Sequence, residues 1–285
     1  MKLIQSTTWI AFILFFGSIA CKTSSQTPAA KNSVTADWEL GVQCWTFRLF
    51  TLEDVLRKCD SADIRSIEAN YGQALGMGST EKFGPDMSPE AKATLKEQLK
   101  KYNIRIRAMG VISPTAREDW HKAFQLAQEF GLSYVTSEPR KNLWDMIDSL
   151  AGQYKIKVAI HEHARPNPYW HPDSVLAAIK DHPNIGCCAD LGHWARSGLD
   201  PVECLKKVEG HVIGLHLKDI KTFNDTRAAD TPVGKGVLDY PAIFKELARQ
   251  KFKGMLSIEQ ESNWSNSLPD IINTVKFYKT ETAKL

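Results

Sequence analysis

The chain has no apolar run long enough to cross a bilayer, no excess of charge of one sign, no CxxC pair and no glycine-rich phosphate loop. Each absence closes a class of function. The apolar stretch at residues 9–20 falls short of the roughly 20 residues a spanning helix needs. Lys and Arg total 36 against 33 Asp and Glu, and a formal net charge of +3 over 285 residues gives nucleic acid no basic face to bind. Six cysteines in a chain of this length are too few for a disulfide scaffold. Cys187 and Cys188 are adjacent on one expected strand, hence on opposite faces, and suit buried free thiols better than a shared ion. What remains, 43% hydrophobic and 24% charged residues, excludes disorder, collagen and coiled coil.

The N-terminus reads as an address. Lys2 supplies a positive start, residues 9–16 an apolar core, and Gly17-Ser-Ile-Ala20 a small-residue cleavage site directly before Cys21. A cysteine in that place resembles the bacterial lipobox, with Ser18 where leucine is commonest, and implies cleavage before Cys21 and lipidation of it. Ordinary secretion with Cys21 incidental is the alternative. Residues 21–37, rich in Ser, Thr, Ala and Pro, are expected to form a flexible tether, and 38–285 a single folded domain. The expectation is an exported protein anchored by lipid to a bacterial membrane and facing the periplasm.

Within 38–285, short β-branched or apolar runs alternate with longer amphipathic ones. The short runs are LGVQCW (40–45), IRSIEA (64–69), IRIRAMG (104–110), LSYVTSE (132–138), KVAIHEH (157–163), IGCCAD (185–190), VIGLHLKD (212–219) and MLSIEQE (255–261). Helical spacing follows Ser88-Pro89-Glu90, with Ser as N-cap and Pro in the first turn, and recurs over 142–154, 172–180, 241–250 and 268–278. Eight strand–helix units in about 250 residues are the size of a (β/α)8 TIM barrel, an α/β fold. A doubly wound open sheet is the alternative, but it lacks its phosphate turn here.

In a barrel the chemistry sits at the C-terminal ends of the strands. Charged residues end the expected strands again and again: Glu68, Glu138, His161-Glu162-His163, Asp190 with His193, His216 with Lys218 and Asp219, and Glu259 with Glu261. A charge is costly at a core position, so this recurrence points to a site. Mixed His, Asp and Glu suit a divalent ion such as Mn²⁺, Co²⁺, Zn²⁺ or Mg²⁺. Such a site can hold vicinal sugar oxygens and polarise a carbonyl, so that a carboxylate removes the neighbouring C–H proton to give an enediolate. Returning the proton makes an isomerase or epimerase, and expelling a β-substituent makes a lyase or dehydratase. These residues leave that choice open.

From Leu40 onward the chain resembles the xylose isomerase-like TIM barrels of the sugar phosphate isomerase/epimerase kind. The pieces that carry the resemblance are GVQCWTFR (41–48), AIHEHA (159–164), ADLGHWARSGLDP (189–201), GLHLKD (214–219), VGKGVLDYPAI (233–243) and SIEQESNW (257–264). It implies metal ligation by Asp190, His216 and Glu259, with His161 in the strand-five place where epimerases carry glutamate. That departure breaks the epimerases' two-carboxylate relay and leaves Glu138, Glu162 or His163 as second base beside Glu259. Glu68, His193, Lys218 and Trp194 are the expected substrate contacts. Exported members of this kind resemble enzymes acting on 3-keto-glycosides as 1,2-lyases.

Some residues admit structural readings. One of His161 and His163 is expected to enter the barrel mouth and the other to lie behind it. Glu68 is a metal ligand, a sugar acceptor or an ion-pair partner of Arg107. Lys218 holds substrate oxygen or pairs with Asp219 or Glu259. His121, His171, His182 and His211 read as structural or exposed. The expected partner is a small sugar or keto-glycoside, with no nucleic acid and no membrane contact beyond the lipid. A non-catalytic sugar-binding barrel is the competing class, and endonuclease IV-like repair lacks its basic surface.

Overall fold

The computed structural model describes residues 33–285; the expected signal peptide, Cys21 and residues up to 32 of the expected tether lie outside the described residues. A short 3-10 turn, Ser33–Thr35, leads into β1 (Trp38–Gln43). There follow α1 (Leu52–Ser61), β2 (Ser66–Asn70), the hairpin strands β3 (Ala74–Gly76) and β4 (Ser79–Lys82), α2 (Pro89–Tyr102), β5 (Arg105–Ile112), α3 (Arg117–Glu129) and β6 (Tyr134–Ser137). The second half holds α4 (Trp144–Tyr154), β7 (Lys157–His161), α5 (Pro172–Ile179), β8 (Ile185–Asp190), α6 (Leu191–Arg196), α7 (Pro201–Lys207) and β9 (Val212–Leu217). It ends with the short pair β10 (Asp219–Ile220) and β11 (Asp230–Thr231), then α8 (Tyr240–Arg249), β12 (Gly254–Ile258) and α9 (Leu268–Thr282).

Strands β1, β2, β5, β6, β7, β8, β9 and β12 close into a parallel barrel in chain order, which is the expected TIM barrel. All eight expected runs supply one barrel strand each. The hairpin β3–β4 and the pair β10–β11 were not foreseen, because residues so short and polar carry no clear period.

Local chemistry explains the helix starts. Ser88 accepts from Ala91 N–H and Pro89 opens α2, while Thr51 and Asp54 cap α1 reciprocally. Strand β8 runs straight into α6 because Asp190 is both the last strand residue and the N-cap, its Oδ1 accepting from His193 N–H at 2.9 Å. No loop separates β8 from α6, whereas β7, β9 and β12 are followed by longer connections.

The larger core lies between sheet and helices, with Leu56, Phe124, Leu150, Val175, Phe244 and Ile258 among its buried members. A second, smaller cluster of Ala108, Tyr134, Ala159, Cys188 and Met255 fills the barrel interior. Gly214 makes room for it, since a Cβ there would stand 2.5 Å from the Tyr134 hydroxyl. Period-two alternation then lifts the inward face from this apolar floor to a polar layer: Ala159 to His161, Cys188 to Asp190, Gly214 to His216, Met255 through Ser257 to Glu259. Cys187 packs in the outer core and Cys188 in the inner one, as adjacency on a strand requires. All five cysteines of the described residues are buried and free, and burial pushes the Cys188 thiol up to about 12.

Candidate metal centre and active site

Four strand ends converge above the apolar floor. His161, Asp190, His216 and Glu259 are all buried and offer one ligand atom each, and these atoms lie within 4.8 Å of one another. The atoms facing inward are His161 Nε2, Asp190 Oδ2, His216 Nδ1 and Glu259 Oε2, and none makes a hydrogen bond of proper geometry. They approach as close as 2.9 Å (His216 Nδ1 to Glu259 Oε2), with His161 Nε2 at 3.4 Å and His216 Nδ1 at 3.5 Å from Asp190 Oδ2. Four buried atoms converge on one point without a well-formed hydrogen bond, and only the two carboxylate oxygens also face Lys218, which asks for an explanation. Two imidazole nitrogens and two carboxylate oxygens are a donor set that fits a divalent cation.

The outward atoms of the same side chains are fixed. His216 Nε2 lies 2.9 Å from Glu68 Oε2, and Glu68 in turn accepts from Ser257 Oγ at 3.1 Å and Gln43 Nε2 at 3.1 Å. His161 Nδ1 lies 2.8 Å from Glu138 Oε1, the oxygen that also takes His163 Nδ1, while Asn167 Nδ2 donates to Glu138 Oε2 at 2.7 Å. Each carboxylate thus fixes its histidine's outer nitrogen and ring orientation, leaving His216 Nδ1 and His161 Nε2 aimed at the cluster, where each would offer a lone pair once a cation takes the place of its proton. Glu68 is therefore neither a sugar acceptor nor the partner of Arg107, which pairs instead with Glu39 at 2.8 Å. Glu138 orients two imidazoles and is not a free base.

Charge accounts for the pull on a cation. Burial alone would protonate Asp190 and Glu259, but Lys218 above all holds both carboxyls well below their ordinary range. Burial also works against charge on His161, yet Asp190 and Glu138 raise it to about 9, so the metal-free site holds a proton that a cation must displace. Lys218 Nζ stands 3.2 Å from Asp190 Oδ2, 3.1 Å from Glu259 Oε2 and 3.4 Å from Glu261 Oε2. Gly192 permits this, since a Cβ there would lie 2.6 Å from Lys218 Cγ. Lys218 pairs with Glu259, and Asp219 turns away to accept from Ile220, Gly234, Gly236 and Leu238 N–H, which pins the 234–236 turn. His193 lies beside the cluster, its Nε2 3.1 Å from Lys218 Nζ, and burial and then Lys218 hold it well below its usual range, so it is neutral.

Three sequence expectations are corrected. His161 and His163 do not diverge: their rings stand 4.7 Å apart and share one Glu138 oxygen, because residues two apart share a strand face. Glu162, between them, points the other way, accepting from Cys187 Sγ at 3.1 Å and from Asp190 N–H at 2.9 Å. It braces the backbone of Asp190 from behind and is no base for substrate. Burial pushes its carboxyl up to about 8. That value lies above the ordinary one, so its contribution to stability is full below about pH 4.5 and lost as pH rises through about 8. Glu162→Gln is expected to keep turnover within about twofold, where loss of a base would cost at least about a hundredfold. With chelator present, it should also melt above the parent at pH 9.

Trp194, expected against substrate, is fully buried in the outer core. Trp194→Ala is expected to cost about 3–5 kcal/mol of stability through the cavity it leaves. Chemical denaturation reads this; a lowered substrate affinity with an unmoved midpoint would restore the stacking role.

Arg196 escaped the sequence reading. It is buried, donates through Nε and Nη2 to Ala228 O, pairs with Asp230, and lies 3.6 Å from Glu261, so it fastens the loop after β9 to the end of β12. Its spacing three residues after His193 on α6 was the available signal. His121 and His182 are structural, bonding Tyr154 Oη and Asp145 respectively.

A closed parallel barrel with this cluster at its C-terminal mouth defines a class, and the comparisons agree. Residues 56–280 match the family described as Xylose isomerase-like TIM barrel, and the chain belongs to it. It is 29% identical over 146 residues to an inosose dehydratase of Clostridium botulinum (strain Eklund 17B / Type B), covering 46% of this chain and 47% of that protein. The chain thus spans about half the length of that curated relative. The crystal structure of an uncharacterised protein from Parabacteroides distasonis ATCC 8503 superposes with a TM-score of 0.70 at 36% identity, over 86% of this chain and 99% of that one. The IolI protein, solved with a bound zinc atom, shares the fold at a TM-score of 0.69 and 18% identity, over 86% of this chain and 97% of its own.

Proposed function

We propose that the protein is a divalent-metal-dependent enzyme that enolises a keto sugar and then expels a leaving group. The observation that carries the reading is the convergence of four buried ligand atoms of His161, Asp190, His216 and Glu259, none with a well-formed hydrogen bond. A divalent cation on these residues, Mn²⁺, Co²⁺, Zn²⁺ or Mg²⁺, supplies Lewis acidity that polarises a ketone and acidifies the adjacent C–H.

The chain's own groups do the rest. His163 is half-exposed at the mouth, its Nδ1 tied to Glu138 and its Nε2 without a protein partner among the described residues. The tautomer that donates to Glu138 leaves an Nε2 lone pair to take the α-proton, and Glu138 stabilises the imidazolium. The C–H electron pair moves into the enediolate. Lys218 donates toward the oxygen on which negative charge develops. Re-formation of the ketone then breaks the bond to the β-substituent, whose oxygen leaves with the proton held on His163.

Isomerisation or epimerisation uses the same first step and returns that proton to carbon, so it is the second reading. Elimination is favoured because His161 stands where the epimerases carry a glutamate, and because the similar C. botulinum protein is named a dehydratase. We place the enzyme outside the cytoplasm, lipid-anchored through Cys21, where keto-glycosides rather than sugar phosphates are the available substrates. Cys21→Ser should release it from membranes with activity intact.

Incubation with 3-keto-glucosides and free ketoses in D₂O, followed by mass spectrometry, separates the readings. Aglycone release with formation of an unsaturated keto sugar supports elimination. Deuterium uptake without release supports isomerisation, and neither outcome on a metal-loaded protein leaves a sugar-binding barrel.

A further inference from the structure

We infer that Trp45, Arg48 and Trp264 form a subsite for a second ring of the substrate, carried as its leaving group. Trp45 follows β1 and Trp264 follows β12, two strands that are neighbours in the barrel, so both indoles reach the mouth from one side. Their rings meet edge to face at 6.4 Å. The Arg48 guanidinium lies 3.5 Å over the Trp264 ring and 4.6 Å from that of Trp45, locking the three side chains together. Trp45 is nonetheless 36% exposed, and Leu49, four residues further along the chain, is 63% exposed. A single exposed aromatic is ordinary, but a pair of indoles braced by a guanidinium at the mouth of a site is a binding feature. Arg48 has no carboxylate within ion-pair distance among the described residues, which leaves its N–H edge for ligand oxygens.

The rim is wired to the metal centre. Trp45 Nε1 donates to Glu261 Oε1 at 3.0 Å, Glu261 Oε2 lies 3.4 Å from Lys218 Nζ, and Lys218 reaches Asp190 and Glu259. One polar residue therefore separates the flat apolar surface from the group assigned to the enolate oxygen. The occupant that fits both ends is one molecule, an oxygen-rich reacting sugar joined to a ring with a flat apolar face. An aryl group or the C–H face of another sugar supplies that face. Stacking on the indoles holds the aglycone over the rim while the keto sugar lies on the cluster. This rests on the elimination reading, and it narrows the substrate to glycosides with a ring on the leaving oxygen.

The test titrates the protein with methyl β-glucoside, phenyl β-glucoside and cellobiose, none of which carries the ketone, and reads tryptophan fluorescence and calorimetry. The ring-bearing ligands are expected to bind at least about tenfold more tightly than the methyl glucoside, a preference that Trp264→Ala and Arg48→Ala reduce to within about threefold. Phenyl against cellobiose tells an aryl from a sugar aglycone. Arg48 is exposed, so its variant keeps the test valid if Trp264→Ala fails to fold. Equal affinities, no binding of any of the three, or a preference that survives both substitutions overturns the subsite. Turnover of the matching 3-keto-glucosides is measured in parallel. Turnover without a ring preference removes the subsite and keeps the elimination reading; a ring preference without turnover does the reverse.

Discussion

Replacing Asp190 or His216 with alanine is expected to weaken binding of Zn²⁺ or Mn²⁺ by about a hundredfold or more and to remove turnover. A structural Zn²⁺ site of four ligands is worth about 10–16 kcal/mol, so losing one forfeits roughly a quarter of it, about 2.5–4 kcal/mol or roughly 70- to 900-fold. The decisive feature is the gradation. Glu68→Gln leaves all four ligand atoms in place but loosens His216, whose Nε2 it holds at 2.9 Å, and should cost only about 10–100-fold. Metal affinity by competition with a chromophoric chelator reads both. Equal losses for Asp190→Ala and Glu68→Gln would mean that the cluster at the mouth is not the ion's site.

The second large effect is expected at His163. Its alanine variant should retain metal and lose about 10²–10⁴ in kcat, because proton transfer is removed and the four ligands are untouched. Glu138→Gln should differ in kind. Its carboxylate holds His161 and His163 through one oxygen, so the variant is expected to lose metal affinity and rate together. Steady-state rates at saturating metal, paired with the affinity measurement, separate the two. A His163→Ala enzyme keeping a third of the parental rate would move the base elsewhere, to His193 or Glu259.

The fold was legible because its signal is repetitive. Eight apolar runs alternating with amphipathic stretches need no long-range information, and the four clustered side chains announced themselves by ending such runs with charge. The division of labour among the charged residues was less visible. His161, Glu162 and His163 are equally polar in one dimension, and only the strand's alternation sends Glu162 to the Cys187 side and both histidines to the mouth. Glu138, expected as a base, and Glu68, expected as a substrate contact, ligand or ion-pair partner, instead hold the outer nitrogens of His161 and His216, a distinction set by which nitrogen of each imidazole faces inward. Trp194 was misplaced for a related reason. It sits on α6, immediately beside the site in sequence, but the helix turns its ring into the outer core. The rim of Trp45, Arg48 and Trp264 joins residues more than two hundred positions apart, and barrel closure alone brings them together.

The most direct test of the central claim is chelation followed by restoration. Protein stripped of metal, then given one equivalent of a divalent cation, is assayed in D₂O for exchange at the carbon next to the ketone of a 3-keto-glucoside. The predicted result is no exchange after stripping, and full recovery at one ion per chain in the parent but not in His216→Ala. Exchange that persists in the stripped protein, or that returns equally in His216→Ala, would contradict enolisation at this cluster.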